Sequence, residues 1–205
     1  WLMVDMAVQK IGAVLTPIYP TTNINGLQFI LNDVQTKIIF VSATILIAAA
    51  ARLLPHLPNF TPIAAMALFG GAYLSDKRMA FFIPFLALFL SDLVLGFSAS
   101  MVPVYACFAF TVLLGIFIKE NVNPLSIAGS ALVSSIVFFL VTNLPIWYTG
   151  LQLYPNTFEG VMMSYTAALP FFANSLAGDL FYSAILFSTF YLAEKNIPML
   201  SKVRA

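Results

Sequence analysis

The sequence predicts an all-α, polytopic membrane protein built as a six-helix transmembrane bundle. Of its 205 residues, 61% are hydrophobic and only 8% are charged, and the mean hydropathy is +0.96. Soluble domains carry about 25% charged residues, and a folded domain exposes too much surface to hide so apolar a sequence inside one globule. We therefore expect lipid to be the solvent for most of the chain.

Six apolar segments support this fold class. They run from about Ile38 to Leu54, Phe60 to Leu74, Met79 to Phe97, Met101 to Lys119, Pro124 to Tyr148 and Ala167 to Ala193. The first two are shorter than the roughly 20 residues that a bilayer-spanning helix needs. Either these helices stop early and leave backbone around a cavity, as at transporter binding sites, or the bilayer thins locally.

The basic residues predict the orientation. If the N-terminus lies inside, eight of the nine Lys and Arg residues fall on the inner side and only Arg52 falls outside. This positive-inside pattern predicts that both termini are cytoplasmic. The outer connections are then Pro55–Asn59, Ser98–Ser100 and Thr149–Thr166. The net charge of +1, without a basic patch, gives no basis for nucleic-acid binding.

Residues 1–42 differ from the remainder and are predicted as a separate, α/β-like extension before a transmembrane domain at 43–205. A short helix, the turn-rich GAVLTPIYP and an amphipathic helix are followed by KIIFVS, which reads as a short buried strand. The pattern D-x-A-x-x-x-x-G-A-V-x-x-P-I-Y-P-T, with KIIFVS after it, resembles the N-terminal part of AMP-forming acyl-CoA synthetases.

In that family the phosphate-gripping loop lies far downstream, and some 42 residues make no stable core. We therefore interpret 1–42 as a non-functional fragment joined near Ser42 to Thr44. A fragment of an acyl-CoA synthetase remains an alternative.

Polar side chains inside or beside apolar sequence are the candidate ligand contacts. Arg52, His56 and Asn59 precede the second segment, where a guanidinium could clamp an anionic or polar ligand; alternatively, Arg52 snorkels to the headgroups. A lone imidazole makes no metal chelate, so we predict no metal.

Two carboxylates, Asp92 and Asp179, lie within the third and sixth segments. A carboxylate at the centre of a membrane helix costs about 2.5–3.5 kcal/mol, so it normally faces the bundle interior. It could contact substrate or a cation. It could instead be a structural partner for Arg52 or bond Ser91, Asn174 or a helix end.

The end of the fifth segment, FFLVTNLPIWYTG, adds Asn143 before an expected kink at Pro145 and Trp147 after it. The aromatic residue either belongs to an interfacial belt or stacks on a ligand. The full candidate substrate-binding set is Arg52, His56, Asn59, Asp92, Asn143, Trp147, Asn174 and Asp179, and we expect these side chains to converge on one outward-facing cavity.

No catalytic motif is present: there is no recognisable Ser-His-Asp set, no HExxH and no Gly-rich phosphate loop. We expect no enzymatic activity and no cofactor. Small residues such as Ala67 and Gly71, four apart, predict close helix contacts.

Four stretches carry a second resemblance: RLLPHLPNFTPIAAMALFGGAYLSDKR, FFIPFLALFLSDLVLGF, FFLVTNLPIWY and ALPFFANSLAGDLFYS. Over residues 44–192 the chain resembles a family of uncharacterised bacterial transport proteins, similar in turn to the substrate-binding S subunits of energy-coupling-factor transporters. The resemblance implies a bundle in the bacterial cytoplasmic membrane that captures a small micronutrient. It also implies a separate transmembrane coupling subunit and two ATPases as partners. A self-sufficient secondary transporter and a structural membrane protein without a ligand remain alternatives.

Overall fold

A computed structural model describes residues 36–55, 57–96, 101–144, 154–197 and 200. Within these ranges the chain forms six α-helices and no strand, which confirms the all-α helical-bundle class. The helices are α1 (Thr36–Ala51), α2 (Ile63–Tyr73), α3 (Lys77–Leu95), α4 (Met101–Ile118), α5 (Pro124–Thr142) and α6 (Phe158–Asn196), with a 3₁₀ turn at Lys119–Asn121 after α4.

Four of these helices, α3 to α6, are long and apolar enough to cross a membrane. The 16-residue α1 and the 11-residue α2 are apolar but shorter. The outward surface is also apolar: Phe117, Leu125 and Phe158 are each more than 80% exposed. Soluble monomers rarely expose large contiguous apolar surface. The chain is therefore a membrane-type helical protein, whose described part has four helices long enough to span a bilayer and two shorter apolar helices.

Local sequence signals explain where the helices begin. Asp76 caps α3 by accepting a hydrogen bond from the Arg78 backbone N–H at 2.7 Å. A reciprocal capping box between Asn123 and Ser126, with Pro124 at the first helical position, starts α5. Such caps satisfy backbone N–H groups that have no partner within the helix.

The short helix α2 is the centre of the described bundle and contacts the five other described helices. Every residue from Ala65 to Ala72 is buried. The Phe69 ring meets the rings of Phe187 and Phe190 on α6 edge-on, with centroids 5.4 and 6.0 Å apart. Because α2 has no face left for lipid, the other helices screen it from the bilayer.

The closest approach between helices is the crossing of α2 and α4 at Gly71 and Gly115. A Cβ on Gly115 would overlap the Leu68 carbonyl oxygen and would come within 2.9 Å of Gly71 Cα. A Cβ on Gly71 would likewise overlap the Val112 carbonyl oxygen. The close contact expected at Gly71 from small-residue spacing is thus present, and only glycine permits it.

The two ends of the bundle differ in charge. Lys119 Nζ lies 3.4 Å from the carbonyl oxygens of both Leu74 and Ser75. The α2–α3 and α4–α5 connections therefore meet at one end, which also carries Asp76, Lys77, Arg78 and Glu120. The C-terminal part of α6 packs on Tyr73 at the end of α2, so Lys195 belongs to this end as well. Arg52 lies at the opposite end.

The strand predicted for KIIFVS is wrong, because residues 37–42 belong to α1. A short apolar run cannot be assigned by periodicity alone, and here it continues into the alanine-rich helical sequence that follows. The Ser42 and Thr44 hydroxyls donate to the carbonyls of Ile38 and Phe40 at 2.7 and 2.8 Å. The domain boundary at 42/43, which stays a prediction, falls within this continuous helix, and residues 1–35 lie outside the described part.

The outer connection predicted at Thr149–Thr166 is wrong in its second half, because α6 begins at Phe158. Thr157 caps the helix by accepting a hydrogen bond from the Gly160 N–H at 3.2 Å. Gly160 reads as a loop residue in sequence, but it is needed because a Cβ there would overlap the Pro155 carbonyl oxygen. With 39 residues, α6 is about 58 Å long at 1.5 Å per residue.

We predict that Gly115→Ala destabilises the protein, because its methyl group would force α2 and α4 apart. Overpacking of this kind costs about 1–3 kcal/mol. Gly129→Ala on α5 is the matched control: nothing lies within 4 Å of the position that its methyl group would occupy, and alanine favours helix over glycine by about 1 kcal/mol. Thermal unfolding in detergent should show a lower midpoint for Gly115→Ala and an equal or higher one for Gly129→Ala. Equal midpoints for the two variants would contradict the crossing.

Candidate functional site

Two adjoining cavities lie between α2, α4, α5 and α6. The outer cavity has a volume of about 170 Å³ and the deeper one about 40 Å³. They share Val104, Phe138 and Ser175 as lining residues, so the deeper cavity is an extension of the outer one. The outer cavity opens towards the end of the bundle that carries Arg52, because Asn59 and Asn143, the C-cap residue of α5, form its rim.

The outer cavity combines amide groups with aromatic rings. Asn59, Thr142, Asn143 and Ser175 contribute polar atoms, and the rings are Phe138, Phe139, Phe171 and Phe172. Hydrogen bonds hold Asn143 in place: its side-chain Nδ2 donates to the Phe139 carbonyl of α5 at 2.8 Å, and its backbone carbonyl accepts from Ser164 Oγ on α6 at 2.8 Å. This composition, mostly apolar with a few placed polar groups, is typical of small-molecule sites.

The deeper cavity ends at a buried carboxylate. Asp179 on α6 is 8% exposed and accepts a hydrogen bond from Ser135 Oγ at 2.6 Å. On the facing wall, Thr111 Oγ1 and Ser134 Oγ are 2.6 Å apart and join α4 to α5. None of the described residues that line the two cavities is Lys, Arg or His.

The roof of the site is formed by residues 57–62, the non-helical stretch that leads into α2. Asn59 adopts a left-handed backbone conformation, with φ of 62°, which asparagine tolerates better than most residues. Phe60 then packs against the rings of Phe181 and Tyr182, with centroids 5.6 and 5.5 Å away. A Cβ on Gly178 would come within 3.1 Å of Phe60 Cα. The stretch thus reaches the middle of α6.

This connection explains why α2 is short. Pro62 lies immediately before the helix, which ends at Tyr73, and the first residues Ile63 and Ala64 line the deeper cavity. The structure therefore favours the first alternative for the short segment, in which a helix stops early and its preceding backbone borders a cavity. Non-helical backbone at membrane depth occurs where protein or a cavity surrounds it.

Arg52 and Asp92 form a separate cluster that does not line the two cavities. The Arg52 guanidinium forms an ion pair with Asp92 and donates to Ser91 Oγ at 2.5 Å. Tyr105 on α4 donates its hydroxyl proton to the other Asp92 oxygen at 2.8 Å. Both carboxylate oxygens are thus occupied. Of the alternatives predicted for Asp92, the structure shows the structural one, in which Asp92 is the ion-pair partner of Arg52.

The predicted convergence on one cavity is therefore partial. Asn59, Asn143 and Asp179 line the two connected cavities. Asn174 does not line them; its Nδ2 donates to the Pro58 carbonyl at 3.1 Å and positions the roof. His56 and Trp147 lie outside the described residues.

Several lining residues were not predicted, although they follow helical spacing. On α5, Ser134, Phe138 and Thr142 recur every four residues. On α6 the lining positions Ala168, Phe172, Ser175 and Asp179 follow three- and four-residue steps, with Phe171 beside Phe172. This is the spacing of one helix face. The signal was hidden because both helices are apolar on every side.

The fold and the site together define a membrane-type helical protein with a polar and aromatic cavity inside its bundle. The chain belongs to DUF6580, a family of unknown function, which it matches over residues 32–200 and therefore across all six helices. No curated protein and no solved structure matches the chain.

We predict that the Arg52–Asp92 pair stabilises the fold. Removing one partner of a buried ion pair costs about 3–5 kcal/mol, whereas replacing both by apolar residues is often far less harmful. Asp92→Leu or Arg52→Leu alone should therefore lower the thermal midpoint strongly, and the double variant should recover part of the loss. Simple additivity of the two losses would contradict a direct pair.

Proposed function

We propose that this protein is an integral membrane substrate-binding protein that takes up a small micronutrient. It acts as an S-component-like subunit in the bacterial cytoplasmic membrane, with a separate energising module. The observation that carries the proposal is the polar and aromatic cavity that leads from the end bearing Arg52 to the buried Asp179.

The cavity favours binding over a purely structural role. Protein interiors are close-packed, and voids larger than a water molecule are few. A bundle that served only as a scaffold would gain stability by filling this space with apolar side chains. Here the walls instead carry amides, hydroxyls and a carboxylate, whose burial is costly unless they are bonded.

The short helix α2, with non-helical backbone before it, also supports transport. Discontinuous helices at the level of the bilayer midplane are a recurring element of transporter binding sites. The N-terminus of α2 opens on the deeper cavity, beside the middle of α6. The C-terminal end of α2 lies near the charged α2–α3 and α4–α5 connections. The helix therefore extends from the cavity to the end of the bundle that carries most of the basic residues.

The charge distribution supports ligand entry from outside. The end that bears Lys77, Arg78, Lys119 and Lys195 is expected in the cytoplasm by the positive-inside rule, and the cavity opens at the other end. The resemblance to S subunits adds the expected partners, a transmembrane coupling subunit and two ATPases. In this proposal the chain itself carries out no enzymatic step.

Co-purification tests the binding proposal. Purified from a mild detergent, the wild-type chain should retain a small molecule that mass spectrometry detects after denaturation. Asp179→Ala and Asn143→Ala should lose it, because each removes a polar contact of the cavity. Ser130→Ala is the matched control, since Ser130 is buried on α5 but does not line either cavity. If no small molecule co-purifies with the wild-type protein in any preparation, the binding proposal is wrong.

Cysteine labelling tests the orientation. Two exposed residues are suitable positions: Glu159 in the first turn of α6, and Glu120 beside Lys119. In a Cys107→Ala background, intact cells should react with a membrane-impermeant maleimide at Glu159→Cys and not at Glu120→Cys. Lysed cells should label both variants. The reverse pattern in intact cells would place the cavity mouth in the cytoplasm and contradict uptake from outside.

A further inference from the structure

We infer that the cavity binds a compact organic cation, namely a protonated amine or other cationic nitrogen on a flat apolar body. This inference rests on the proposed binding function and names its substrate class. Three properties of the site carry it: an uncompensated buried carboxylate, aromatic walls and a small volume.

The carboxylate lacks a counter-charge within the described structure. Asp179 receives one hydrogen bond from Ser135, and the described cavity lining contains no basic residue. Arg52 is engaged by Asp92 in the separate cluster. The N-terminus of α2 supplies the equivalent of about half a positive charge, which offsets the carboxylate only in part. A bound cation would complete the neutralisation, because buried charges are normally paired.

The side chains on the other walls are compatible with a cation, and none of the described ones is basic. Phe108, Phe138, Phe139 and Phe172 belong to the lining, and aromatic faces attract cations through their quadrupole. The Thr111 and Ser134 hydroxyls can accept hydrogen bonds from an ammonium group. An anion would instead meet the Asp179 carboxylate without any basic side chain to hold it.

The volume restricts the size of the ligand. The outer cavity of about 170 Å³ and its extension of about 40 Å³ are smaller than the roughly 300–1,000 Å³ of sites for drug-sized molecules. The narrow extension leads to Asp179, so the cationic group enters first and the flat body remains among the phenylalanines. Asn59 and Asn143 at the rim then contact the outer end of the ligand.

Three probes that share one ring and differ in charge test the inference: benzylamine, benzyl alcohol and benzoate. Binding is measured by isothermal titration calorimetry on the full chain in nanodiscs, after the co-purified ligand has been removed. We expect benzylamine to bind at least about tenfold more tightly than benzyl alcohol, as a hydrogen bond to a charged group outweighs a neutral one. Benzoate should show no binding.

Two variants locate the source of the preference. Asp179→Asn should weaken benzylamine by about tenfold or more and leave benzyl alcohol nearly unchanged. Glu159→Gln is the matched control: it removes one negative charge from the exposed start of the same helix and should change neither affinity. If Asp179→Asn fails to fold, the comparison of the three probes on the wild-type chain still tests whether the ligand is a cation.

The outcomes separate this inference from the proposed function. Equal binding of benzylamine and benzyl alcohol would mean that Asp179 acts as a neutral, protonated group, and it would overturn the cationic class. Preference for benzoate, or no binding of benzylamine, would overturn it as well. Each of these results leaves the binding function intact if a small molecule co-purifies. An empty protein in the co-purification experiment overturns the binding function itself.

Discussion

The structure depends on how the non-helical backbone between α1 and α2 is accommodated beside membrane-spanning helices. Lipid offers no hydrogen bonds, so such backbone must be enclosed by protein or border a cavity. Here α6 provides the enclosure: Asn174 bonds the Pro58 carbonyl, the rings of Phe181 and Tyr182 pack on Phe60, and Gly178 admits the backbone closely. The position of the cavity follows from this arrangement.

The same constraint makes α2 the central helix. A helix of 11 residues cannot span a bilayer of about 30 Å, and it would leave its polar ends in hydrocarbon if it faced lipid. It is instead surrounded by the other five helices. The paired glycines at the α2–α4 crossing allow this close enclosure, since helix association in membranes relies on tight packing rather than on expulsion of water.

The fold class and the approximate limits of the helices could be predicted because hydropathy and proline positions act locally. The strand predicted at KIIFVS was wrong because six apolar residues fit both the helical and the strand period. The start of α6 was missed because a glycine such as Gly160 is typical of loops, and only the structure shows the Pro155 carbonyl packed against it. At the site, Asn59, Asn143 and Asp179 could be selected as polar residues in apolar sequence. Ser134, Ser175 and the phenylalanines could not, because only the packing of four helices shows which face of each is turned inward.

The two membrane carboxylates show why the site could be separated from the scaffold only in three dimensions. In sequence Asp92 and Asp179 are equivalent: each is an acidic residue inside an apolar helix. In the structure Asp92 has Arg52, Ser91 and Tyr105 around it, so its charge is balanced and its acceptors are used. Asp179 has one hydroxyl and a cavity. Asp179 is thus a buried carboxylate with unused acceptor positions that face an open space, and a ligand bound there would stabilise it. Asp92 is already paired and would gain no stabilisation from a ligand.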